Sequence, residues 1–255
     1  MRTRHRVGHP ATPSSTSPWG PPIAAAAPTA TDLPAPSSRL VVWDVDRTLT
    51  TSDTLLPFLR VVLGPGALAP ILRIVVPAVA RRGGGRAEFK DALLRRILAG
   101  RSEVDLEALA LRYAQSVLET GCRPDSLSRW AWHRRCGDVL ALASASPGVY
   151  VRPLGALLGA DHVVATELQS AAGHLTGARS TPNCRGPEKA RRVADLIAAV
   201  RPASVWVYGD SRSDLPTLAL ADVPVCVRPY RHLTTPPPTH PTAQTVPGST
   251  SGISP

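Results

Sequence analysis

Lysine is nearly missing from this chain. Of its 29 basic residues only Lys90 and Lys189 are lysines, and the rest are arginines. Aromatic residues make up 4% of the sequence, so Leu, Val and Ala must do most of the packing. No two of the four cysteines stand in C-x-x-C spacing. That excludes the common zinc and dithiol motifs, and Cys122, Cys136, Cys184 and Cys226 read as free thiols of a reducing compartment. An unbroken apolar run of ~20 residues, which a transmembrane helix needs, is also lacking. The basic start "MRTRHR" is followed by Pro, Ser and Thr, and "IAAAAPTA" is too short and proline-broken for a signal-peptide core. These absences predict a cytoplasmic protein. Acidic residues number 19, leaving a formal charge of +10. Such a surface attracts anions. The arginines are dispersed and no zinc-finger or RRM-like signature accompanies them, so a nucleic-acid partner is not expected.

What is present is enough for one core domain and a smaller one: 255 residues, 43% hydrophobic. Residues 1–38 are rich in Pro, Ala, Ser and Thr without periodicity, and the tail 234–255 reads the same way. Both are expected to be disordered, because they hold too little apolar surface to offset ordering entropy. Between them, short apolar runs alternate with helical patterns. "RLVVWD", "DVLALAS", "HVVATEL" and "SVWVYGD" predict strands, "VPVCV" an edge strand and "LQSAAGHLTG" a hairpin. "PGVYVRPLGALLG" and "PEKARRVADLIAAV" predict helices. Strand–helix alternation points to an α/β fold with a parallel sheet covered on both faces. Ligands then bind beyond the carboxyl ends of the strands, where Asp44, Ser144 and Asp210 fall.

Residues 54–121 break the alternation and read as a helical insert. "VDLEALALRYAQSVLETG" puts Leu106, Leu109, Ala110, Tyr113 and Val117 on one face, with Ser102 as cap and Gly121 as stop. "EFKDALLRRILAG" does likewise with Phe89, Leu93, Ile97 and Leu98. The stretch 54–82 is unusually apolar and is punctuated by arginine and proline. It reads as a buried cap hairpin, or alternatively as an interfacial segment making peripheral membrane contact with its arginines at the headgroups. The domains are therefore expected at 39–53 plus 122–233 for the core and 54–121 for the cap.

In "VVWDVDRTLT", Asp44 and Asp46 are two apart and leave a strand on the same side. At ~4 Å and an effective dielectric of about 20, they repel by about 4 kcal/mol. A hard divalent cation removes that cost, since Mg²⁺ takes one or two carboxylates plus substrate oxygens. "YGDSRSDLPTL" adds Asp210 and Asp214 at a second strand end, close enough in sequence to share a helical turn. Two acidic pairs on neighbouring strand ends look like one cation site. "LASASPG" brings Ser144 to a third strand end, where a hydroxyl suits a phosphoryl oxygen; Ser146 reads as the cap of the following helix. In "NCRGPEKARRV", a lysine stands where the chain otherwise uses arginine, which suggests a need for a compact point charge.

The set "DVDRT", "SAS", "NCRGPEK" and "GDSRSD", in this order, resembles the haloacid dehalogenase superfamily of phosphohydrolases over about residues 39–233. The insert resembles the helical cap of its phosphoserine-phosphatase-like branch, subfamily IB, and "SASP" with the arginine-punctuated cap is more similar to the phosphatidylglycerophosphatase C-like branch. The resemblance implies a three-layer Rossmann-like parallel sheet with the cap inserted after the first strand. It implies Asp44 as nucleophile forming an aspartyl-phosphate, and Asp46 as the acid that protonates the leaving alcohol and then activates water. It implies Mg²⁺ held by Asp44, the Asp46 backbone carbonyl, Asp210 and Asp214, with Ser144 and Lys189 on the phosphate. Thr48 is expected to brace the loop. Arg47, where many members carry Gly, is expected to point to solvent. Asp53 and Arg96 fall where phosphoserine phosphatases grip the amino acid, and Lys90 is a further cap cation that could hold a second anionic group or be simply solvated. The expected activity is Mg²⁺-dependent hydrolysis of a phosphomonoester, on a small molecule or a lipid head group. A phosphoserine phosphatase is the alternative within the class, and a non-catalytic anion- or partner-binding protein is the alternative outside it.

Overall fold

Alternate residues of the first strand face opposite layers, and this organises the molecule. In the computed structural model, which describes residues 39–66, 68–81 and 85–227, β1 (Arg39–Trp43) is buried on both sides. Val41 and Trp43 join one apolar cluster with Leu140, Leu142, Trp130 and Tyr150, while Leu40 and Val42 join another with Ala141, Val193, Val207 and Leu218. Each face is closed by helices, as a parallel sheet requires. The sheet order is β3 (His162–Thr166), β2 (Val139–Pro147), β1, β6 (Ser204–Gly209) and β7 (Val223–Cys226), with every pairing parallel. All five predicted strands are there, and "VPVCV" lies at the edge. Helices α5 (Pro124–Arg135) and α6 (Gly148–Leu158) contribute to the first face, and α7 (Pro187–Val200) and α8 (Leu215–Leu218) to the second.

The insert after β1 forms four helices, α1 (Leu55–Leu63), α2 (Leu68–Arg81), α3 (Arg86–Leu98) and α4 (Glu103–Ser116). Ser102 caps α4 by accepting the Asp105 N–H, and a last wide turn ends at Gly121. The predicted hairpin, β4 (Leu168–Ala171) and β5 (His174–Arg179), forms a separate two-stranded sheet. It hydrogen-bonds to the cap: Gly100 N–H donates to the Leu175 carbonyl (2.8 Å), and Leu175 N–H to that of Arg101 (2.9 Å). Gly177, at φ +76°, sits against α3 so closely that a Cβ there would come within 2.6 Å of the Arg95 Cα. No other residue type fits that contact.

Three features depart from expectation. Strand β2 runs past Ser144 to Pro147, with its register to β3 shifting between Ala143 and Pro147. Helix α5 is not announced by an aliphatic pattern; its buried residues are Ser126, Trp130 and His133. The 54–82 hairpin is only partly buried: Phe58, Leu59 and Val62 are inside, but Leu56, Val61 and Val76 are exposed. The expected disordered ends, 1–38 and 234–255, lie outside the described residues, as do 228–233 of the expected core. Among the described residues no helix is long and apolar enough to cross a membrane.

Candidate active site

Strand β1 ends on a turn, Val45–Leu49, whose backbone leaves the helical region at Asp46 and Arg47. The Asp44 N–H donates to the Tyr208 carbonyl (3.0 Å), so the turn starts in register with β6. Thr48, fully buried, donates its hydroxyl to Asp44 Oδ2 at 2.8 Å. It braces the loop, as expected. Ser126 of α5 holds the Thr48 carbonyl at 2.8 Å.

Lys189 reaches Asp44 from α7. Its Nζ donates to Asp44 Oδ1 (2.6 Å) and to Asp214 Oδ1 (2.8 Å). Only 3% of its surface is exposed. Burial alone would depress the ammonium, but the carboxylates of Asp44 and Asp214 outweigh it and hold Lys189 above its usual range. Asp214 also accepts from the Ser211 N–H (3.2 Å) and hydroxyl (2.6 Å). Although burial opposes it, this partnership with Lys189 and Ser211 holds the Asp214 carboxyl below the usual range. Gly209, the last residue of β6, explains the glycine before "DSRSD": a Cβ there would lie 2.8 Å from the Asp214 Cβ.

Asp44, Asp210 and Asp214 are all buried and offer carboxylate oxygens within 4.8 Å of one another. Burial pushes the Asp44 carboxyl up to about 7; Lys189 pulls it down, and the Asp214 and Asp46 carboxylates push it up again. Three acids facing one buried lysine leave an excess of negative charge. A cluster of hard oxygen donors with that excess fits a hard divalent cation.

Arg47 does not point to solvent. Its Nε stands 3.6 Å from Asp210 Oδ2, and its side chain is 39% exposed. The residue sits in the left-handed region (φ 66°, ψ −1°). Non-glycine residues adopt this conformation at a cost of roughly 1–2 kcal/mol. Thr50 supports it by accepting the Arg47 N–H on its hydroxyl at 3.2 Å.

Asp46 faces the cap. Its Oδ1 accepts the Thr54 N–H (2.7 Å) and hydroxyl (2.6 Å), and its Oδ2 accepts the Ser146 hydroxyl (2.7 Å). Burial, then the Asp53 carboxylate, raise the Asp46 carboxyl; the hydrogen bonds of Thr54 and Ser146 oppose them. Thr54 is itself held from both domains. Tyr113 of α4 donates to its carbonyl (2.7 Å), and the Tyr150 hydroxyl of α6 lies 3.0 Å from its hydroxyl.

Of the serine pair, Ser146 lines the cavity and Ser144 is not among its lining residues. Ser144 is fully buried and its hydroxyl accepts the Ser146 N–H at 3.0 Å. Ser146 does not cap α6, whose first turn has no side-chain cap. It faces the cavity and holds Asp46.

Asp44, Asp46, Ser146, Lys189, Asp210 and Asp214 open on one cavity of about 410 Å³ between core and cap. Phe89 and Lys90 of the cap line it, together with Asp53. Lys90 is not a solvated lysine: its Nζ donates to the Ala145 carbonyl and to Asn183 Oδ1 (2.9 Å). Burial, then Arg179, lower it to about 8. Arg96 is exposed and is not among the residues that line this cavity. Thr54, Ser146, Tyr113, Tyr150 and Asn183 are thus site residues that the motifs alone do not single out as such.

Residues 41–219 match the family model described as haloacid dehalogenase-like hydrolase. The chain is 32% identical over 186 residues to Protein CicA of Caulobacter vibrioides, covering 72% of this chain and 83% of that protein. It is 24% identical over 208 residues to the "Probable phosphatase Rv3661" of Mycobacterium tuberculosis, covering 78% and 72%. Among solved structures, a Bordetella pertussis protein of unknown function superposes with a TM-score of 0.64 at 23% identity, covering 74% of this chain and 90% of that one.

Proposed function

The chain belongs to the haloacid dehalogenase-like hydrolase family, and we propose that within it this protein is a Mg²⁺-dependent phosphomonoester hydrolase working through an aspartyl-phosphate on Asp44. One observation carries the reading: a buried carboxylate, Asp44, bonded to Lys189, shares a cavity with Asp210 and Asp214 and with a further carboxylate, Asp46, held apart by its own donors.

An anionic nucleophile must approach an anionic phosphate, so positive charge has to be concentrated at the point of attack. Lys189 supplies part of it. Asp44, Asp210 and Asp214 are the residues that would hold Mg²⁺, which when bound neutralises charge on the phosphoryl oxygens. Asp44 Oδ forms the bond to phosphorus as the P–O bond to the leaving alcohol breaks. Asp46 gives its proton to that alcohol. The same carboxylate then takes a proton from water, which attacks the aspartyl-phosphate and releases inorganic phosphate and free Asp44. The environment of Asp46 supports this double role, because burial favours its protonated form while Thr54 and Ser146 favour the ionised one. Ser144, the expected phosphoryl donor, belongs to this reading through the Ser146 N–H that its hydroxyl accepts.

The cavity volume suits a small phosphorylated group. Lys90 is the cap cation that faces it, and we assign it the second anionic group of the substrate. A phosphoserine substrate is less well served, since Arg96 stands outside the lining. The test is phosphate release from an aryl phosphate by wild type and Asp44→Asn, with Mg²⁺ or with a chelator. Release that needs both Mg²⁺ and Asp44 supports the reading. Release that survives either loss overturns it.

A further inference from the structure

The first two cap helices carry an outward face that suits a lipid surface better than water. Residues 55–81 contain no acidic residue, no lysine and no neutral polar side chain; arginine is their only polar residue. Every exposed residue described in α1 and α2 is Ala, Val, Leu, Pro or Arg. Leu56, Val61 and Val76 are 38%, 46% and 49% exposed, and Arg60, Arg73 and Arg81 share the outward faces with them. Helix α4 shows the ordinary alternative: its exposed residues include Asp105, Glu107, Arg112 and Gln115.

The geometry points to α1 and α2 as a docking surface for an anionic lipid bilayer. The apolar side chains enter the boundary between head groups and acyl chains, and the arginines bury their stems while their guanidinium groups stay at the phosphates. Charge complementarity chooses this occupant. Two copies of the chain meeting through this face would set arginines against arginines. Neither helix is long enough to span, so the contact lies on the membrane. Leu56 is both exposed and part of the cavity lining, so the docked face adjoins the cavity mouth. Binding to lipid does not depend on the reaction proposed above and is measured apart from it.

The experiment is flotation of the full chain with vesicles of phosphatidylcholine containing one-third phosphatidylglycerol, against phosphatidylcholine alone. Each arginine near an anionic surface raises partition about fivefold. Arg60→Gln/Arg73→Gln/Arg81→Gln should therefore lose anionic-vesicle binding about a hundredfold. A charge-matched control on other exposed arginines, Arg112→Gln/Arg135→Gln/Arg201→Gln, should stay within about threefold of wild type. Val61→Ser/Val76→Ser should lose binding several-fold at unchanged net charge. Thermal melting establishes that each variant is folded. Equal loss in the two arginine triples would reduce the effect to bulk charge and overturn the proposal. So would no binding of wild type to anionic vesicles, or binding indifferent to the valine changes.

Discussion

Removing Lys189 separates its electrostatic role from simple packing. In Lys189→Met the two short bonds to Asp44 and Asp214 disappear while most of the buried stem is replaced. The two carboxylates then face each other with oxygens within 4.8 Å. At an effective dielectric of about 20, two unit charges at that separation repel by about 3 kcal/mol, in line with the roughly 3–5 kcal/mol cost of breaking a buried pair. The penalty depends on both being ionised. In the wild type the Asp44 carboxyl already lies above its unfolded value of 3.8, at about 7; without Lys189 it rises further. The folded chain then binds a proton that the unfolded chain does not, so stability falls as pH rises through this window. Below about pH 6 protonation of Asp44 removes its share of the gap, and the lost Lys189–Asp214 pair is what remains. Above pH 7 the wild type has ionised and been neutralised by Lys189, while the variant keeps losing stability. Thermal unfolding with a chelator should show a deficit of roughly 6–12 °C at pH 8.5 and a smaller one at pH 5.5. Saturating Mg²⁺ should recover part of it, by about 2.7 kcal/mol at a hundred times Kd. A deficit equal at the two pH values, or one untouched by Mg²⁺, would refute the electrostatic account of this cluster.

Three further variants probe the loops. Gly209→Ala forces a Cβ to within 2.8 Å of Asp214, and should cost about 1–3 kcal/mol by overpacking while weakening Mg²⁺ binding at least tenfold by calorimetry. Arg47→Gly removes the left-handed cost, roughly 1–2 kcal/mol, less the backbone entropy of glycine, roughly 0.5–1 kcal/mol. It also frees Asp210 from its cation and should tighten Mg²⁺ by up to about fivefold; weaker binding would assign Arg47 to the substrate instead. Thr54→Val takes away one donor that lowers the Asp46 carboxyl, so the alkaline limb of kcat/KM should move to higher pH; an unmoved limb would exclude Asp46 as the titrating acid.

Much of this architecture is written in local pattern. Strands such as "RLVVWD" and "SVWVYGD" are short, apolar and bounded, and two acidic pairs at strand ends announce where charge collects. What stayed hidden depends on partners far away in the chain. Helix α5 buries polar and aromatic residues instead of aliphatic ones, because Ser126 holds the Thr48 carbonyl and His133 bonds Asp138 (2.7 Å) and Tyr208 (2.8 Å). Burial, opposed by Asp138, holds His133 below its usual range. The extension of β2 to Pro147 turns Ser146 from a helix cap into a partner of Asp46, 100 residues away. Lys90 looks like any lysine on a cap helix until the fold brings it to Ala145 and Asn183. Arg47 is set by backbone geometry, since the left-handed turn aims its side chain at Asp210. Residues announced by a local pattern were legible, and those whose role is set by a partner distant in sequence or by an unusual backbone angle were not.

The most direct measurement is a rapid acid quench with an aryl phosphate labelled at phosphorus, followed by peptide mapping. The account predicts label on the peptide carrying Asp44, formed within the first turnover in the presence of Mg²⁺, and none in Asp44→Asn. Phosphate release with no labelled peptide, or with label on any other residue, would contradict it.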